Sequence, residues 1–181
     1  MMKYLQKLGK AIMLPVAVLP VAAIMMGIGY AMCPATMQGG DVTGIIQIIG
    51  FALVKIGSAV IDKLPMLFAV GVAIGLSKDQ HGAAGLAGLV AFLTVTTVLN
   101  SGVVATMMGA EEAPLAFSKI DNAFIGIISG ITASVCYNKF SSAQLPTALA
   151  FFSGKRCVPI VTSFVMVAES AILYFVWPML F

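Results

Sequence analysis

Ser77-Lys78-Asp79-Gln80-His81-Gly82 places a serine, a lysine, an acid and the chain's only histidine within six residues. Such a set could be a catalytic cluster, with the imidazole carrying protons near neutral pH. It could equally be the turn between two helices. No cysteine or second histidine stands at a spacing that would complete a metal site around His81. Cys33, Cys136 and Cys157 are odd in number and share no CxxC or metal-type spacing, so they read as unpaired packing residues. Glu169 sits inside a long apolar run, where an ionisable group is a functional candidate by default, and a helix-facing or interface role is an equal alternative. Gly154-Lys155-Arg156, with Pro159 shortly after, is a second compact polar motif.

The elements that must position these residues are apolar. Of 181 residues, 60% are hydrophobic and 9% charged, whereas a soluble domain carries roughly 25% charged residues. So few charges cannot cover a globule of this size, and the lipid bilayer is the natural solvent. A net charge of +3, scattered along the chain, gives no sign of a nucleic-acid partner. The basic residues read instead as markers of the cytoplasmic side of a membrane. Cys33 is not a lipoprotein acceptor, because Met32 before it is too bulky for that cleavage site. The apolar run 11–32 also exceeds the roughly 7–15 residues of a signal-peptide core.

Lys3, Lys7 and Lys10 recur at helical spacing opposite Tyr4, Leu5, Leu8 and Ile12. Residues 1–10 therefore read as a basic amphipathic helix lying on the membrane surface. Residues 11–32 are long enough to cross, about 33 Å at the helical rise. Pro15 and Pro20 fall inside that run and predict a bend without a break. In 44–62, Gln47, Lys55, Ser58 and Asp62 fall within a stripe about 80° wide. Lys55 near its middle would cost roughly 2.5–3.5 kcal/mol at the bilayer centre, which favours an interfacial or half-buried helix. Further spans are expected near 64–77, 83–99, 123–137 and 158–180. The run 64–77 is short, about 21 Å, and must borrow Val60–Lys63 or sit where the bilayer thins.

The expected fold is an all-α integral membrane protein of about five transmembrane helices with two interfacial ones. With the amino terminus inside and 44–62 outside, seven basic residues face the cytoplasm: Lys3, Lys7, Lys10, Lys78, Lys139, Lys155 and Arg156. Lys55, Lys63 and Lys119 lie outside. A sixth span would send four of the seven outside, so the positive-inside rule prefers five. Ser77–Gly82 then reads as a cytoplasmic turn, which lets Lys78 and Asp79 reach water, with His81 solvated or capping. Gly71 and Gly75, Gly126 and Gly130, and Gly82, Gly85 and Gly88 recur at three or four, a spacing that lets helix backbones approach closely.

Three stretches together resemble the membrane subunit, enzyme IIC, of the glucose superfamily of the sugar phosphotransferase system. They are KLGKAIMLPVAVLPVAAIMMGIG (7–29), LPMLFAVGVAIGLSKDQHGAAGLAGLVAF (64–92) and LPTALAFFSGKRCVPIVT (145–162), the last followed by Trp177-Pro178. The SKDQHGAAGLAG wording leans toward the glucose and N-acetylglucosamine branch. The sequence departs from the family pattern where Ser153 and Cys157 replace a glycine and a phenylalanine, where Thr147 replaces an acid, and at Glu169.

The resemblance implies a permease that takes a sugar from outside and releases it inside as its 6-phosphate, with the phosphate supplied by a phosphocysteine on a IIB domain. It implies IIB and IIA components, a homodimer and a hexose or amino-sugar substrate in the inner membrane, with no metal or cofactor. Family members have about twice this membrane length, so residues 1–181 match the amino-terminal scaffold and dimerisation half. The motif holding the sugar and the IIB cysteine setting have no counterpart here, and a truncated or split subunit is expected. No residue of this chain receives a catalytic or sugar-binding role. Gly154, Lys155, Arg156 and Pro159 match the family motif and would shape a loop near IIB, or simply anchor and start a helix. A non-transporting scaffold is the alternative reading.

Overall fold

A computed structural model describes residues 2–180, which fold into helices and connecting loops with no strand among them. The chain forms two compact units: Met13–Leu64, and the amino-terminal residues through Ile12 together with the chain from Pro65 onward.

The first helix, α1 (Met2–Val16), runs through residue 10 without interruption. The amphipathic stretch and the start of the expected first span are thus one helix. The two prolines leave one 31-residue candidate span, Met2–Met32, with a local irregularity and no break in the path, as expected. Residues 17–18 form a turn, and α2 (Leu19–Met32) begins with Pro20 in its first turn. Pro20 cannot donate a hydrogen bond, and its ring crowds the carbonyl four residues back, that of Val16, where α1 ends.

In the smaller unit, α2 is followed by the single turn α3 (Ala35–Gln38) and by α4 (Ile45–Asp62). Helices α2 and α4 pack antiparallel along small residues. A methyl group placed on Gly29 would lie 2.6 Å from the Gly50 carbonyl oxygen, and one on Gly57 2.6 Å from that of Ala22. The buried face of α4 is Gly50, Val54 and Gly57, while Lys55 is exposed beside the Phe51 ring. By length and composition α4 can cross a membrane.

The larger unit is a bundle of α5 (Leu64–Leu76), α6 (Gly82–Val98), α8 (Ala123–Phe140) and α9 (Cys157–Leu180). Helix α5 supplies the contact ridge. A methyl placed on Gly88 of α6 would lie 2.5 Å from the Ala69 carbonyl oxygen, and one on Gly130 of α8 would lie 2.8 Å from the same atom. Alanines at 69, 73, 84, 87, 91 and 133 are fully buried around this crossing. Glycine and alanine let the backbones approach until dispersion contacts do the holding, since lipid tails offer no hydrophobic drive between helices. Gly82, expected in the same packing set, begins α6 and has open space around it.

Helix α5 is 13 residues long and falls below the length needed to span alone. It buries Phe68, Ala69, Val72, Ala73 and Leu76 among its neighbours, so protein and not lipid meets much of its surface. Helix α6 bends by 49° into α7 (Ser101–Met108) at Leu99–Asn100. The Asn100 side chain accepts the Gly102 N–H at 3.0 Å and so restarts the helix. A 3₁₀ turn at Leu115–Lys119 closes that end, where the Trp177 indole N–H donates to the Ala116 carbonyl at 2.8 Å. Among the described residues four helices, or five counting the bent pair as one, are long and apolar enough to cross a membrane.

Gly88→Ala should destabilise the bundle by about 1–3 kcal/mol, because the added carbon meets a backbone oxygen that cannot move aside. Gly82→Ala should leave stability close to unchanged. Thermal unfolding of both variants in detergent measures the contrast, and equal midpoints would contradict the α5–α6 crossing.

Candidate functional site

One end of the larger unit carries a polar cluster assembled from three segments. The first is the turn after α5. Ser77 is buried, and its hydroxyl donates to the Ile74 carbonyl at 2.7 Å. Gln80 adopts a left-handed backbone, φ 50°, which reverses the chain. His81 follows as the N-cap of α6, its Nδ1 accepting the Ala83 N–H at 3.1 Å. Nδ1 therefore acts as an acceptor and satisfies one amide at the start of α6. The imidazole stacks near Tyr137, with ring centroids 6.5 Å apart and 14° between planes. The only histidine is thus a capping residue.

The second segment is the last turn of α8. The Asn138 amide nitrogen donates to the Leu76 carbonyl at 3.1 Å, and its oxygen accepts the Lys78 N–H at 2.8 Å. One side chain thereby satisfies an orphan carbonyl at the end of α5 and an amide of the turn. The buried Tyr137 directs its hydroxyl to Asp79 Oδ2 at 3.0 Å.

The third segment is the 3₁₀ turn Gly154–Arg156 before α9. Gly154 is left-handed, φ 72°, and its N–H donates to the Ala143 carbonyl at 2.8 Å. That geometry points the Lys155 ammonium at Asp79 Oδ2, 2.8 Å away. Arg156 turns elsewhere: its Nη1 donates to the Phe151 carbonyl at 3.3 Å, and the guanidinium lies 4.8 Å from the centre of that ring. Pro159 falls in the first turn of α9, where a missing N–H leaves no intrahelical bond unmade. The four motif residues therefore diverge. Lys155 joins the cluster, Gly154 shapes the turn, Arg156 faces an aromatic ring and Pro159 starts a helix.

Asp79 is the hub of this end. The Lys155 ammonium, and secondarily the Tyr137 hydroxyl, lower its pKa from 3.8 to about 2 against a smaller opposing effect of burial. The carboxylate is therefore ionised throughout the physiological range. Its folded pKa lies below its unfolded one, so the stabilisation is complete above pH 3.8 and is lost as pH falls through about 2. Lys155 and Asp79 side chains are 42% and 37% exposed, so water screens the pair. With Oδ2 already accepting two donors, the cluster acts as a clasp that ties the turn, α8 and the α9 approach together.

A second polar pair lies within the bundle. The Thr132 hydroxyl of α8 donates to Glu169 Oε2 of α9 at 2.8 Å, while Oε1 is buried and meets no partner among the described residues. An apolar groove of about 320 Å³ runs beside Val98, Leu99, Met107, Val167 and Phe175. Its lining is almost wholly carbon and cannot satisfy the hydroxyls of a sugar. Cys33, Cys136 and Cys157 are buried and unpaired.

Tyr137 and Asn138 escaped the sequence reading, which ended a span at 137. The available signal was a Tyr-Asn pair closing an otherwise apolar helix, a place where side chains are drawn to water or to other loops.

A family model described as phosphotransferase system, EIIC, matches residues 9–181. The N-acetylglucosamine-specific EIICB component of the PTS system from Bacillus subtilis (strain 168) is 38% identical over 180 residues, which is 98% of this chain. The chain spans 33% of that relative's length.

Asp79→Asn should lower the thermal midpoint at neutral pH, since an amide cannot pair with the Lys155 ammonium. The gap to the unaltered protein should close as pH falls through about 2. A gap constant across that range would show that the carboxylate charge plays no part.

Proposed function

This chain belongs to the EIIC family of the phosphotransferase system, and from that premise we propose that it is the scaffold portion of a membrane permease that takes up a sugar with its phosphorylation. N-acetylglucosamine is the favoured substrate, because the relative that matches 98% of the chain is specific for it. Glucose is the neighbouring choice within the same branch. The observation that carries this reading is the family match across residues 9–181. The clasp fits it, since Asp79 and Lys155 belong to two separate family-like stretches and meet at one end of the bundle.

The proposed role is mechanical. Helices α5, α6, α8 and α9 form a rigid wall, and the sugar is bound by parts of the permease outside residues 1–181. The groove on the bundle supports that division, because it is lined by carbon. Phosphate transfer from a IIB phosphocysteine to the sugar 6-hydroxyl then takes place outside residues 1–181. IIB and IIA act as partners, and two copies of the scaffold pair as a homodimer.

Orientation follows from charge. The clasp end carries Lys78, Lys139, Lys155 and Arg156, while the opposite end carries Glu111, Glu112 and Lys119. The positive-inside rule then puts the clasp in the cytoplasm, together with the amino terminus. In the five-span arrangement α4 is a half-buried helix packed on α2, with Lys55 exposed. A non-transporting scaffold is the second reading, favoured by the carbon lining of the groove on the bundle.

The test is a chimera in which residues 1–181 replace the corresponding third of the N-acetylglucosamine-specific relative. It should reach the membrane and support phosphoenolpyruvate-dependent uptake of N-acetylglucosamine. Residues 1–181 alone should bind none of that sugar in equilibrium dialysis. A chimera that inserts correctly yet transports nothing favours the non-transporting scaffold, and clear binding by the isolated chain contradicts the placement of the sugar site.

A further inference from the structure

Between α8 and α9 the chain makes a closed loop with an unusual surface. Its two ends are tied by the Gly154 N–H donating to the Ala143 carbonyl at 2.8 Å. Inside that tie, the Leu145 N–H donates to the Ser153 hydroxyl at 3.0 Å, and 3₁₀ turns cover Thr147–Phe152 with a kink at Leu149. A loop braced in this way holds its shape, yet its apolar side chains point outward. Leu149 is 51% exposed, Phe151 71% and Phe152 41%. The two phenyl rings meet edge to face, 5.3 Å apart, so they form one fixed aromatic wedge.

We propose that this loop, residues 143–154, is an interfacial anchor whose Leu149–Phe151–Phe152 wedge sits in the headgroup zone of the lipid bilayer, with Arg156 bound to lipid phosphate. Three observations select lipid as the occupant. The first is reach: Phe152 is five residues from Cys157, where the apolar helix α9 begins, at most about 18 Å along the chain. A lipid surface is thus already beside the wedge. The second is continuity: α9 enters with Ile160 42% exposed and Phe164 74% exposed, so the outward apolar surface runs on from loop to span. The third is charge. Arg156 has no carboxylate partner among the described residues and spends one donor on the Phe151 carbonyl. Its remaining N–H groups are free for a phosphate oxygen. The guanidinium over the Phe151 ring places cation and wedge side by side, the arrangement that a boundary between phosphate and hydrocarbon favours.

The anchor has a consequence for the clasp. Lys155 lies between the wedge and α9, so a loop held by lipid also holds the lysine that reaches Asp79. This inference rests on lipid surrounding the helices, and it does not depend on which sugar is carried or whether any is.

A nitroxide attached at Phe151→Cys, in vesicles of phosphatidylethanolamine and phosphatidylglycerol, reads the environment directly. The three native cysteines are buried, and unaltered protein reports any background labelling. Oxygen, which concentrates in lipid, should relax the label more strongly than a water-soluble nickel chelate. A label at the exposed Gln80→Cys should show the opposite order. Stronger nickel relaxation at 151 would place the wedge in water, and exclusion of both agents would place it against protein, such as a soluble partner domain; either overturns the proposal. Where the cysteine variant fails to fold, a photoactivated carbene dissolved in the lipid should modify the 145–155 peptide of the unaltered protein. Absence of that modification, with α9 labelled in the same sample, overturns it equally.

Discussion

Hydrocarbon offers no hydrogen bonds, and that constraint organises this chain. Every polar group carried into the bundle needs a partner that the protein itself supplies. The hydroxyls of Thr94, Thr96 and Thr162 turn back on the carbonyls of Val90, Phe92 and Val158, each at 2.8 Å. Glu169 takes Thr132. Glu169 Oε1 and the Ser129 and Ser170 hydroxyls stay buried with no partner among the described residues, while the charged groups gather at the ends. There Tyr137 and Lys155 donate to Asp79, and Asn138 pairs with the Leu76 carbonyl and the Lys78 amide, across segments far apart in the sequence. The clasp is therefore a product of the same constraint that makes the helices apolar, and its composition is set by which loops emerge at that end.

The same absence of water removes the hydrophobic effect between helices, so association depends on fit. Around the Ala69 carbonyl, Gly88 and Gly130 bring two backbones against a third. The Gly29–Gly50 contact does likewise between α2 and α4 within their own unit. Such crossings tolerate little added volume. They also leave the outer surfaces of the helices free for lipid, as the exposure of Phe164, Ile172, Phe175 and Met179 on α9 shows.

Much of this was legible in the sequence. Charge depletion and apolar runs announced a membrane bundle, and the Ser77–Gly82 turn with a capping His81 followed from the cost of burying Lys78 and Asp79. Glycine spacing pointed to the right helices. Other features depend on information no local window holds. Asp79 and Lys155 are 76 residues apart, and nothing near either residue names the other. Asn138 serves the end of α5 from 62 residues away. The two-residue turn at 17–18 leaves Met2–Met32 one span, as Pro15 and Pro20 suggested. Gly82 carried the right spacing but lies at a helix start, where spacing no longer implies contact.

Membership of the EIIC family gives these features a common purpose: a wall of helices held at one end by an ionic clasp and bordered by lipid. The central claim is that the clasp lies in the cytoplasm at the end of a lipid-embedded bundle. Cysteines introduced at the exposed positions Gln80 and Ser142 test it directly with a membrane-impermeant maleimide. The account predicts labelling of both sites in inverted vesicles and of neither in intact cells. Labelling of both in intact cells would contradict it.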